Sequence, residues 1–150
     1  MRVFIIMVLL LLAIGNMPIK VSKVPGKLKN LNWENINFSN KKNKKITTII
    51  RDTPNDNQML VVYSIYQKLS VYQNHSLIYV RDKKDAGSFG NKIPSGWSLI
   101  RFEKGKIKKG DRIILIYENP YGFFVTKSGK IYYGSENAVW WKIQKVQSWF

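Results

Sequence analysis

Two apolar runs 54 residues apart, MLVVYS (59–64) and IILIYE (113–118), constrain the fold more than any other feature. The same offset, continued without a gap, lays KLSVYQNHSLIYV (68–80) on GFFVTKSGKIYYG (122–134). Tyr63 then meets Tyr117, Val71 meets Val125, Leu77 meets Ile131 and Tyr79 meets Tyr133. Turn residues coincide as well, Asn74-His75 falling on Ser128-Gly129. A further apolar stretch closes each unit, WSLIRF (97–102) and WKIQKV (141–146). Alternation of apolar and polar residues in these runs predicts half-buried strands. Gly, Asn, Asp and Pro punctuate them. Each unit therefore reads as four short strands.

Two such units cannot close a core alone, so a third is expected upstream. KITTIIRD (45–52) resembles a closing strand, with Ile49-Ile50-Arg51 on Leu99-Ile100-Arg101. IKVSKV (19–24), KLKNLNW (27–33) and ENINF (34–38) supply three more strand candidates. Units of about 16–52, 53–102 and 103–150 make one all-β domain with pseudo-threefold symmetry, the plan of a β-trefoil. Closing the sheet on itself removes exposed strand edges. Trp97 and Trp141 are core residues in this reading.

The pattern of an apolar strand, then Y-G-F-F-V-x-x-x-G-K-I-Y-Y, then W-x-I resembles the repeat of β-trefoil proteins. Ricin-B-type lectins, MIR-type modules, fascin-like domains and the fibroblast growth factor and interleukin-1 group share it. The ricin-B signature places Gln two residues before the closing Trp, where this chain has Ser95 and Val139. The resemblance therefore implies a lectin-like fold without the standard galactose pocket.

The chain opens on Met1-Arg2, followed by an apolar run from Val3 to Gly15, with small residues at Ala13 and Gly15. This is the layout of a secretory signal peptide over 1–15, leaving 16–150 as the mature domain. A run of 13 residues falls short of the ~20 that span a bilayer. An uncleaved anchor is the alternative. No second such run follows, so no transmembrane segment is expected in the mature, secreted chain.

Composition narrows the chemistry. There is no Cys, which excludes disulfides, thiolate catalysis and Cys-type zinc sites. The single His, His75, falls in a predicted turn, and no Ser-His-Asp set assembles around it. Nine scattered acids single out no pair for glycoside hydrolysis. No enzymatic activity, cofactor or metal is expected.

The charge is more informative. Lys and Arg total 25 against nine acids, a formal net charge of +16. Such a surface favours polyanions. Lys41, Lys42, Lys44 and Lys45 fall in one connection, and Lys104, Lys106, Lys108, Lys109 and Arg112 in another. Loops of this kind capture a sulfated or otherwise acidic glycan through many salt-sensitive contacts. Nucleic acid would be held by the same counterion release, but a secreted address favours glycan. Asn119, Tyr121 and Trp140 are candidates for sugar stacking and hydrogen bonding. Asn37 and Asn74 head N-glycosylation sequons. The expectation is a secreted, non-enzymatic, lectin-like carbohydrate-binding protein. The alternatives are a signalling trefoil with a protein receptor on the cell surface, a basic coat or wall component, or charge that reflects only a Lys- and Asn-rich composition.

Overall fold

The computed structural model describes residues 26–36, 43–82, 93, 95–121 and 129–147. The signal-peptide segment 1–15, the strand candidates 19–24 and 122–125, and Asn37, Lys41 and Lys42 lie outside the described residues. Within them the chain is mostly β: β1 (Glu34–Ile36), β2 (Asn43–Ile49), β3 (Gln58–Ser64), β4 (Lys68–Gln73), β5 (Ser76–Arg81), β6 (Gly96–Phe102), β7 (Arg112–Glu118) and β8 (Ile131–Ser135). One helix follows, α1 (Glu136–Gln147).

The strands form two antiparallel sheets, ordered β1-β2-β7-β4-β5 and β6-β3-β8. They pack face to face. Leu60 and Val62 of β3, Ile100 and Phe102 of β6 and Tyr133 of β8 share one buried cluster with Ile46 of β2, Leu69 and Val71 of β4, and Ile113, Leu115 and Tyr117 of β7. The helix covers the other face of the smaller sheet, where Met59 and Val61 meet Val139 and Ile143. This three-layer arrangement explains why Gln58 to Val62 are all buried while β7 alternates. Beside the core, Trp97 stacks on Tyr132 (centroids 5.8 Å apart) and meets Tyr63 edge-on (4.9 Å).

The pairing does not follow the threefold plan. β3 and β7, equivalent by the 54-residue offset, lie at the centres of different sheets. The offset aligns Leu60 with Ile114 and Val61 with Leu115. Yet the inter-sheet core takes Leu60 and Val62 from one strand and Ile113, Leu115 and Tyr117 from the other. Side chains alternate with a period of two, so a one-residue slip reverses every face. The repeat is thus a likeness of composition, and along β3 and β7 its equivalent residues point to opposite faces.

From β2 onward the chain crosses between the sheets at every connection except the β4–β5 hairpin. Leu28 adds an isolated bridge to Gly134, placing segment 26–32 beside β8. Leaving out the short edge strand β1, the layers read 28–β8–β3–β6 over β2–β7–β4–β5. That is the order of a double-Greek-key jelly roll.

Two local expectations also change. Residues 141–146 are helix, not a closing strand, and Trp141 is 47% exposed rather than core. Glu136 in the first turn and Lys145 in the last suit the helix dipole, and Val139 and Ile143 sit four apart on its buried side. Residues 27–33 make the Leu28 bridge but no strand.

Candidate functional site: a basic end of the sandwich

The loop between β6 and β7 is held rigidly by its own backbone and by neighbours from across the fold. Lys106 N–H donates to the Glu103 carbonyl (3.0 Å) and Gly110 N–H to that of Ile50 (2.8 Å). Lys104 N–H donates to Asn57 Oδ1 (2.9 Å) and Lys109 N–H to Thr53 Oγ1 (3.0 Å). Gly105 and Gly110 turn the chain at φ of 82° and 91°, a region costly for residues with a Cβ. Ile107 is buried under the loop.

Asp111 ties the loop to the β4–β5 hairpin tip. Its Oδ2 accepts from Gln73 Nε2 (2.8 Å) and from Lys108 N–H (2.9 Å). Its Oδ1 accepts from Asn74 Nδ2 (3.1 Å). Asn74 Oδ1 in turn accepts from Arg112 N–H (2.9 Å), and Gln73 Nε2 also reaches the Lys106 carbonyl (2.8 Å). Desolvation works against the Asp111 charge, but the hydrogen bonds from Asn74, Lys108 and Gln73 and the Lys108 charge outweigh it. Its carboxyl ionises below the usual aspartate value.

This scaffold presents Lys104, Lys106, Lys108, Lys109 and Arg112, all exposed. Beside it lies a groove between segment 27–32 and the chain leaving β2. Two adjoining hollows of about 420 and 400 Å³ share Asn32, Ile49 and Arg51. Lys27 and Lys29 border the first and Arg112 the second. Lys29 N–H anchors the groove wall to the Tyr133 carbonyl (2.8 Å). Eight cations therefore gather at one end of the sandwich, and none of them joins the Lys68–Glu118 or Arg101–Glu136 ion pair.

Of the other predicted residues described, Asn74 is brought to this end, and Lys44, Lys45, Asn119, Tyr121 and Trp140 are not. Lys44 and Lys45 pair with Tyr117 and Ile116 on β7, while Arg112 pairs with Ile49 at its other end. Four to five residues of strand separate them, roughly 13–17 Å. Lys44 and Lys45 thus share no single surface with the cations of the β6–β7 loop. Asn119 is buried, and its Oδ1 accepts from Tyr121 N–H (2.9 Å). Tyr121 Oη accepts from Ile93 N–H (2.7 Å). Both side chains are spent holding their own connection. Trp140 is 40% exposed on α1, outside the smaller sheet, whereas Asn119 and Tyr121 follow β7 of the larger one. His75 is exposed at the hairpin tip. The Asn74 amide, the sequon's acceptor nitrogen, is engaged with Asp111.

The sequence reading missed Lys27, Lys29, Arg51 and Tyr133 as site residues. Arg51 lies 22 positions after Lys29 and Tyr133 82 positions after Arg51, and only the Leu28–Gly134 bridge and the β2 exit unite them. Among the described residues, no cluster of three or more acids and His could hold a metal. None of their helices is long and apolar enough to cross a membrane. No protein-family model matches the chain, and no curated protein matches its sequence.

Proposed function

We propose that this protein is a non-enzymatic binding module for polyanions, with an anionic glycan as its ligand, seated at the basic end of the sandwich. The observation that carries the reading is the β6–β7 loop. Its backbone is pinned by Asn57, Thr53, Ile50, Gln73 and Asp111, while its cations extend into solvent. Cations carried on a pinned backbone spare the ordering of the loop on meeting a linear polyanion, so more of the Coulomb attraction survives as affinity. The secretory layout of residues 1–15 supports an extracellular glycan over nucleic acid. Two-sheet jelly rolls host lectins among other functions, which is an analogy of fold alone.

The test is salt elution from immobilised heparin beside a plain sulfonate exchanger. Wild type should elute later from heparin than from sulfonate. The triple change Lys106→Ala, Lys108→Ala, Lys109→Ala should abolish that difference, whereas Lys44→Ala with Lys45→Ala should leave it. Equal elution of wild type from both resins, or equal losses in the two variants, would reduce the charge to a bulk property.

A further inference from the structure

Tyr133 is 3% exposed, and its hydroxyl has no hydrogen-bond partner among the described residues. Gln58, Gln67, Ser98, Tyr117 and Ser135 also hold buried oxygens without one, but Tyr133 is the residue among them that borders the groove. A buried donor without a partner destabilises the fold by its full desolvation penalty. The side chain packs in the inter-sheet core beside the groove, and a ligand oxygen that reached the hydroxyl through the groove floor would relieve that cost. Burial, with the charges of Asp56 and Asp111 adding to it, pushes the phenol up to about 12. At neutral pH it is therefore a fixed donor and never an anion.

The groove wall supplies the complementary groups. Lys27, Lys29 and Arg51 offer positive charge. Asn30 and Asn32 offer amides that both donate and accept, and Asp52 accepts. Cations alone would suit a bare anion. The amides and carboxylate add partners for hydroxyl groups, which a bare anion lacks. The volume lies within the roughly 300–1,000 Å³ of small-ligand sites. The groove follows the end of β2 and the chain leaving it, from Thr47 to Asp52, on the order of 15 Å of extended chain.

We propose that this groove is a subsite for a sugar residue carrying a sulfate or carboxylate group. Lys27, Lys29 and Arg51 take the anionic group, Asn30, Asn32 and Asp52 take the hydroxyls, and Tyr133 donates from the floor. The assignment rests on the polyanion reading and adds to it. The loop supplies charge to any polyanion, and the groove selects a sugar.

Titration calorimetry with a sulfated heparin disaccharide, its desulfated counterpart and inorganic sulfate tests this, alongside heparin elution. Wild type should bind the sulfated disaccharide best of the three. Tyr133→Phe should weaken it about three- to tenfold, the loss of one hydrogen bond, with no fall in Tm, since the hydroxyl has no internal partner. Arg51→Gln should weaken it as well. The triple Lys variant of the loop should keep disaccharide binding and lose the heparin advantage. Unchanged affinity in Tyr133→Phe, or a Tm fall of several degrees, would overturn the assignment. Inorganic sulfate binding as tightly as the disaccharide would overturn the sugar part of it. No disaccharide binding alongside intact heparin selectivity would overturn the subsite and leave the polyanion reading standing. Loss of both would overturn the two together.

Discussion

Replacing Asp111 with Asn separates two accounts of the basic end, because they predict opposite signs. The change removes one negative charge from a protein of net +16. Bulk attraction should then strengthen. At about 10 Å in water a unit charge contributes about 0.4 kcal/mol, and less once salt screens it. Against this stands the loss of the loop's anchor. Asp111 accepts from three donors, Gln73, Asn74 and Lys108 N–H, using both oxygens. Asn has one oxygen. If that oxygen keeps Gln73 and Lys108, its amide opposes the amide of Asn74. Asn74 cannot flip to help, because its own oxygen is held by Arg112 N–H. At least one hydrogen bond is lost, with a donor facing a donor, a cost of about 1.5 kcal/mol at this largely exposed place. For a chain of this size that is a Tm fall of about 5 °C. A loosened loop must also be reordered by its ligand, so a similar penalty falls on binding. It exceeds the Coulomb gain. Asp111→Asn should therefore elute earlier from heparin than wild type while eluting no earlier from sulfonate. Calorimetry across pH gives a second readout. The Asp111 carboxyl ionises below its ordinary value in the folded state, so its stabilisation is complete above the unfolded value of about 3.9. It fades as pH falls through the lower folded value. Asn cannot titrate, so the Tm gap between the two proteins should close in acid. Later elution from heparin, or a Tm gap that persists unchanged at pH 2, would show that Asp111 does not anchor the loop.

Two further outcomes follow from packing. A Cβ on Gly134 would lie 2.9 Å from the Lys27 carbonyl and 3.0 Å from Leu28 Cα. Gly134→Ala should therefore push segment 27–32 off β8 and weaken disaccharide binding at least several-fold, while the β6–β7 loop keeps its preference for heparin over sulfonate. Trp97 sits between Tyr63 and Tyr132, and Trp97→Ala should cost about 3 kcal/mol in denaturant unfolding. Trp141, 47% exposed with Lys145 Nζ 3.8 Å above its ring, should cost no more than about 1 kcal/mol when changed to Ala.

The all-β class and most strand positions were legible because strands announce themselves by alternation. Residues 59–64, 97–102 and 113–118 are strands, as read. What alternation does not carry is which face meets which partner. Leu60 and Ile114 look equivalent as letters, yet one lies in the inter-sheet core and the other outside its cluster. A doubly buried strand such as β3 loses the alternation that would have fixed its register, because α1 covers the face a solvated strand would leave polar. The helix itself was misread for a related reason. WKIQKV alternates well enough for a strand, and the helical signal lies upstream in Glu136, Ala138 and Val139. Of the site, the Lys loop was legible as local sequence. The groove was not, because it exists only where a segment near residue 30, the exit of β2 and Tyr133 converge.

The same Lys-rich composition is put to two uses in this fold, and that contrast argues against charge as mere background. At the end of the sandwich away from the groove, cations are engaged internally. Lys68 pairs with Glu118 at 3.2 Å. Arg81 is buried, donating to the Gly96 carbonyl (2.7 Å) and Ser64 Oγ (3.2 Å). Lys44 is engaged as well. At the basic end the roles reverse. Asp111 holds a loop and Asp56 accepts from Gln58 Nε2 (2.6 Å), so these acids organise backbone and core, while the lysines beside them reach outward. A protein basic only by composition has no reason to fix the backbone beneath its unpaired cations. Binding an extended polyanion would supply one, since a loop backbone held in place beforehand need not be ordered on contact.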